Sequence, residues 1–246
     1  TLLLGVYTLV RPMRTFLAIG WILGILFLGA IIWGSQKLSH VVLSSAVLHQ
    51  REQEGEYCLV LDAGHGGQDG GKIGVHREIE RDINLQIVRK IQEQLEKEKQ
   101  GKIQVILTRE DENGLAEDNV KDLKERVRLI NETRPDLVVS IHQNSYTDER
   151  VKGAQVFYHT ASTEGKKVAE LMQTSLYTLD ETNHRQAKEN QTYYLLKKTE
   201  VPVIIVECGF LSNPDEAEKL SSENYQDQVA EAVTKGILNY FGKGEN

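Results

Sequence analysis

The chain has 246 residues, with 29 Lys and Arg against 36 Asp and Glu and a formal net charge of −7. Only Arg11, Arg14 and Lys37 precede residue 51, so the remainder carries 26 basic against 36 acidic residues, about −10. That balance argues against a nucleic-acid partner, which would call for a basic face, and two cysteines, Cys58 and Cys208, are too few for a disulfide framework.

In chain order, the first feature is Phe16 to Trp33, "FLAIGWILGILFLGAIIW", 18 residues without a charge. As a helix it would span about 27 Å, close to the hydrocarbon thickness of a bilayer. Residues 15–33 therefore read as a membrane-spanning anchor or a signal segment. The length favours the anchor, because the apolar stretch of a signal peptide runs to about 7–15 residues. Arg11 and Arg14 place residues 1–14 in the cytoplasm and everything after Trp33 outside it. Met13 opens "MRTFLAIG", a more natural start than Thr1. Residues 34–56 read as a polar linker, and residues 57–242 as the folded domain.

From Tyr57 onward strands and helices alternate. An apolar run predicts a strand over 57–63. Ile83, Ile87, Ile91 and Leu95 recur at helical spacing and predict a helix over 82–99. A strand over 103–108 and a helix over 120–133 follow, then strands over 137–141 and 154–158. A helix is predicted over 165–179, an entirely apolar strand over 201–206, and a closing helix over 225–241. Near-continuous apolar strands alternating with helices predict an α/β fold with a mostly parallel central sheet and helices on both faces.

Three of the strands deliver a chemically useful side chain at the carboxyl edge, where sites collect in such sheets. "LVLDAGH" delivers His65, "LVVSIHQN" delivers His142, and "VIIVECGF" delivers Glu207. The glycines around His65 suit a tight turn and close backbone approach. "GHGGQDGGKI" is not a phosphate loop, since Ile73 follows Lys72 where Ser or Thr is required. Two imidazoles suit zinc, which takes about three protein ligands in a catalytic site. "REIERDINL" offers Glu78, Glu80 and Asp82 as the third, and spacing alone does not choose among them. Asn84, Asn144 and Arg109 are candidates for holding substrate or supporting the ligands. Cys208 should face away from Glu207 by strand alternation.

"LDAGHGGQDGG", "EIERDINL", "SIHQNS" and "VECGFLSNPDE", in that order, resemble the four signature segments of the zinc-dependent N-acetylmuramoyl-L-alanine amidases, the peptidoglycan-cleaving type often called amidase-3. The likeness runs from about Val60 to Phe241 and includes "LKERVRLIN" at Leu123 to Asn131. It implies zinc held by His65, Glu80 and His142, and Glu207 as the catalytic residue. Arg81 stands where Lys is usual, and Gln143 and Ser145 stand where Ala is common; none of the three is an implied ligand. The implied substrate is the bond between the lactyl group of N-acetylmuramic acid and the stem-peptide L-alanine. The short connection after "SIHQNS", the N-terminal anchor and the single domain resemble the germination-specific, spore-cortex subgroup. Expected partners are therefore peptidoglycan, the membrane and an accessory protein, with the enzyme outside the cytoplasm. The alternatives are a different zinc hydrolase of wall material, such as a peptidase or deacetylase, and a non-catalytic wall-binding protein.

Overall fold

The computed structural model describes residues 57–98 and 103–242. The expected anchor and linker lie outside the described residues; among those described, no helix is long and apolar enough to cross a membrane.

Six described strands form one sheet: β1 (Tyr57–Ala63), β2 (Ile103–Leu107), β3 (Leu137–Asn144), β4 (Gln155–His159), β5 (Lys188–Asn190) and β6 (Val203–Phe210), in the order β2-β1-β3-β6-β4-β5. β1 is parallel to β2 and β3, and β3 is parallel to β6; β4 is antiparallel to β6 and parallel to β5. The helices are α1 (Glu80–Lys97), α2 (Asn119–Thr133), α3 (Thr163–Leu176), α4 (Tyr194–Lys198), α5 (Pro214–Ser221) and α6 (Glu223–Tyr240).

Strand alternation splits the core into two layers. Leu59, Leu61, Val139, Ile141, Ile204 and Val206 bury one face against α1, α3, α5 and α6. Val60, Val138, Val203 and Ile205 bury the other against Ile130 of α2 and Leu195 and Leu196 of α4. The expected mostly parallel α/β sandwich is what forms. Cys58 and Cys208 are both buried free thiols.

The boundaries depart from expectation where backbone pairing overrides side-chain polarity. β3 continues past Ile141 through His142 to Asn144, and β6 continues past Val206 to Phe210, because the two strands keep pairing. His142 and Glu207 are therefore register partners inside the ladder rather than residues after it, and one extra residue in β6 bulges between there and the Asn144–Phe210 pair. α1 begins at Glu80, two residues early, with no side-chain cap; its Glu80 and Arg81 N–H groups donate to the carbonyls of Lys72 and Gly70. β5, α4 and α5 are additions, too short to leave a periodic signal.

Near the carboxyl end of β1, four charged side chains are buried together. Asp62 and Arg126 form an ion pair, Arg126 Nε donates to Asp122 at 2.6 Å, and Arg109 lies alongside at 4% exposure. Burial alone would raise the Asp62 carboxyl, but the Arg126 charge and the Ser140 and Thr108 hydroxyls bring it down to about 2. A carboxyl lowered in the folded state stabilises above its ordinary value and loses that contribution as the pH falls through the lowered one. Asp62→Asn is expected to cost about 3–5 kcal/mol at pH 7, since it leaves Arg126 short of a partner. In urea unfolding, the gap to wild type should narrow as the pH falls from 3.8 towards about 2. A gap that stays constant across that range would show that the pair does not contribute in this way.

Candidate metal centre

Glu80, on the first turn of α1, is 2% exposed and its two oxygens serve different elements. Oε2 accepts the Lys72 N–H at 2.8 Å, fastening the glycine loop to the helix. Oε1 lies 3.1 Å from His65 Nε2 and 3.0 Å from His142 Nδ1, and accepts the Gln143 N–H. His65, Glu80 and His142 thus each offer a ligand atom within 4.8 Å of the others, the one such group among the described residues. Two bonds of about 2.0–2.1 Å at a tetrahedral angle put donor atoms about 3.3–3.4 Å apart. The donor set, two imidazoles and one carboxylate, and its spacing fit a zinc-type ion.

Geometry also chooses among the three acidic candidates. Glu78 accepts the His76 N–H at an exposed turn, and Asp82 pairs with the Arg81 side chain at 2.8 Å. Only Glu80 turns toward both imidazoles.

The glycines behave as their spacing implied at two positions. A Cβ on Gly64 would sit 2.2 Å from Cε1 and Nε2 of His142, so the imidazole lies against bare backbone. Gly71 has φ +67°, and a Cβ there would meet Glu80 Oε2 at 2.6 Å and His65 Cδ2 at 2.7 Å. His65 itself is left-handed at φ 65°, a conformation that costs a non-glycine residue about 1–3 kcal/mol and persists only where neighbours enforce it.

Supporting groups surround the ligands. Asp69 Oδ2 lies 2.9 Å from His65 Nδ1, which leaves Nε2 for the site. Burial would lower the His65 imidazole, but Glu80 and Asp69 raise it to about 9. Burial would likewise raise Glu80, and the two imidazoles hold it far below the carboxylate range. The cluster favours a positive guest, and a cation competes with protons for these lone pairs. Asn84 and Arg109 both donate to the Gly64 carbonyl at 3.1 Å, so they support the ligand loop. Asn144 instead accepts the neighbouring Ser145 N–H.

Glu207, 7% exposed, sits across the β3–β6 register from His142, and its Oε2 has no hydrogen-bond partner. Burial pushes its carboxyl up to about 7, with His142 pulling down and Glu80 pushing up. Tyr193, half-buried beside it, is itself raised to about 12 by burial and the Glu207 charge. Asp62, Asp69, Arg126 and Tyr193 were not singled out from sequence; their signal is three-dimensional, apart from the carboxylate four residues after His65. Cys208, with its thiol raised by burial, lies in the opposite core layer from Glu207, as alternation required.

A family model described as N-acetylmuramoyl-L-alanine amidase matches residues 59–239. The chain belongs to that family. The germination-specific N-acetylmuramoyl-L-alanine amidase of Bacillus subtilis (strain 168) is 39% identical over 191 residues, 74% of this chain and 79% of the relative. Among solved structures, the CwlD amidase from Clostridioides difficile, in complex with the GerS lipoprotein, aligns with a TM-score of 0.71 at 36% identity, covering 76% of this chain and 98% of that one. An N-acetylmuramoyl-L-alanine amidase from Clostridium difficile 630 aligns with a TM-score of 0.69 at 32% identity, over 77% and 99% of the two chains.

The metal geometry yields a direct expectation. Gly64→Ala should fold, because Gly64 is not in the left-handed region, yet displace the His142 ring. Isothermal titration should show divalent-ion affinity weakened by at least about 10-fold. Unchanged affinity would mean His142 does not need this position.

Proposed function

We propose that the chain is a peptidoglycan amidase that hydrolyses the amide between the lactyl group of N-acetylmuramic acid and the L-alanine of the stem peptide. His65, Glu80 and His142 hold zinc, and Glu207 moves the proton. The observation that carries this reading is the convergence of two imidazoles, those of His65 and His142, on Glu80 Oε1, with a buried carboxylate whose Oε2 has no partner across the strand register. Family membership supports the same bond.

Zinc bound there would polarise the amide carbonyl and lower the pKa of a water molecule to about 7. Glu207 Oε2, free of other partners, accepts the proton released as that water attacks the carbonyl carbon. As the C–N bond breaks, the same oxygen returns the proton to the leaving L-alanyl nitrogen. The products are a lactyl carboxyl group and a free α-amine. Elevated proton affinity suits both transfers, because the group must take a proton and give it up near neutral pH.

The finer reading rests on sequence and similarity. The uncharged run from Phe16 to Trp33, preceded by Arg11 and Arg14, supports a membrane anchor or signal segment over residues 15–33, ahead of a linker at 34–56 and the catalytic domain at 57–242. The enzyme then acts outside the cytoplasm, where its polymer lies. Likeness to a germination-specific amidase supports the spore cortex as substrate, and likeness to an amidase solved with a lipoprotein supports an accessory protein.

Incubated with muropeptides, the full chain should release L-alanyl amines and no new sugar amines; the reverse pattern would indicate a deacetylase. Glu207→Gln should keep zinc and lose about 10²–10⁴-fold in kcat. A zinc-loaded variant with wild-type turnover would remove Glu207 from the mechanism. Immunoblots should find the protein in sporulating cells; its presence in growing cells and absence from sporulating ones would end the spore-cortex assignment.

A further inference from the structure

We propose that Arg126 is a positioning residue for the metal centre: its guanidinium and that of Arg109 together clamp the three backbone carbonyls from Ala63 to His65 and so fix where the His65 imidazole points. The proposal rests on reading His65, Glu80 and His142 as metal ligands.

The last register pair between β1 and β2 is Leu61 with Leu107, so these three carbonyls extend beyond that ladder. Two planar forks take their place. Arg126 Nη1 donates to the Ala63 carbonyl at 2.8 Å, and its Nη2 donates to the His65 carbonyl. Arg109 Nε donates to the same Ala63 carbonyl at 2.9 Å, and its Nη2 to the Gly64 carbonyl at 3.1 Å. Arg109 also donates to the Arg81 carbonyl at 2.8 Å, which ties the clamp to the turn of α1 that carries Glu80.

The Arg126 fork is itself immobilised. Its side chain is 2% exposed, its Nε is held by Asp122 Oδ2 at 2.6 Å, and its Nη1 faces Asp62 Oδ1. Its charge is matched within the cluster, so burial leaves it fully ionised. The bond to the His65 carbonyl matters most, because His65 is the residue held left-handed. A side chain in that region stays there only where its surroundings leave no alternative. Turning the peptide after His65 would break this bond and swing the imidazole away from Glu80 Oε1. Arg126 touches no ligand atom; it acts through the backbone. Lysine would keep the charge opposite Asp62 and Asp122 but, with one ammonium in place of a planar fork, would not span both carbonyls.

The test uses the full chain as wild type, Arg126→Lys, Asp122→Asn and His142→Ala. Zinc affinity is measured by competition with a chromophoric chelator, and the stability of the metal-free protein by urea unfolding. Arg126→Lys is expected to bind zinc about 10–100-fold more weakly under conditions where urea unfolding shows the metal-free variant fully folded. Asp122→Asn frees one side of the fork and should show a smaller loss in the same direction; it decides the matter if Arg126→Lys does not fold. Wild-type zinc affinity in the variants, or affinity losses that only follow metal-free stability, would overturn the proposal. If His142→Ala holds zinc as tightly as wild type, the metal reading itself falls and the clamp falls with it.

Discussion

A single carboxylate, that of Glu80, joins the three parts of the site. One oxygen holds the glycine loop through the Lys72 N–H, and the other faces the imidazoles of His65 and His142. The loop after β1, the first turn of α1 and the end of β3 are thus fixed relative to one another by one buried anion. This explains why α1 needs no side-chain cap: the loop drawn back by Glu80 supplies carbonyls for the helix's first N–H groups. It would also couple metal binding to folding. An anion at 2% exposure requires compensating positive charge, which the His65 imidazole, raised to about 9, can supply and a bound cation would supply in its place.

The sheet face that bears the site changes character along its strands. Val138, Ser140 and His142 alternate on β3, and Val203, Ile205 and Glu207 on β6, so each strand begins apolar and ends in chemistry. The apolar half packs under α2 and α4 and sets the strand register. Register then decides function, because a slip of one residue would turn Glu207 into the opposite core layer and bring Cys208 to the site. The bulge in β6 comes only after the His142–Glu207 pair, so it leaves that pairing intact.

Much of this was legible in sequence, and the failures share one cause. Apolar runs revealed the principal strands, and helical spacing revealed the long helices. His65, His142 and Glu207 announced themselves by following such runs. Strand ends did not: His142, Gln143 and Asn144 look like loop residues, but backbone pairing, which has no side-chain signature, carries the strand through them. Choosing Glu80 from Glu78, Glu80 and Asp82 required either the family pattern or coordinates, since all three lie within one turn. Arg126 was invisible for a related reason, and Asp69 left only its spacing four residues after His65 as a signal. Their partners are a backbone carbonyl 61 residues away and an imidazole whose orientation the sequence does not fix. α5 is the exception that could have been found, since Asn213 followed by Pro214 is a readable cap, and Asn213 does accept the Glu216 N–H.

Charge balance gives Glu207 its direction of action. Asp62 and Asp122 match the charges of Arg126 and Arg109, so that buried quartet is neutral in sum. The groups left to set the local charge include the Glu80, Glu207 and Asp69 carboxylates, the last bonded to His65 Nδ1, so the site favours a cation. Burial lifts the Glu207 carboxyl, His142 opposes the rise and Glu80 adds to it, with the balance at about 7, and a neighbouring dication would draw it down. On the proposed reading, a bound dication would favour the ionised form of Glu207, the form able to accept a proton. Glu207 Oε2 would then hold that proton until the leaving amine nitrogen can take it. The burial that leaves Oε2 without a partner would suit one side chain to act first as base and then as acid.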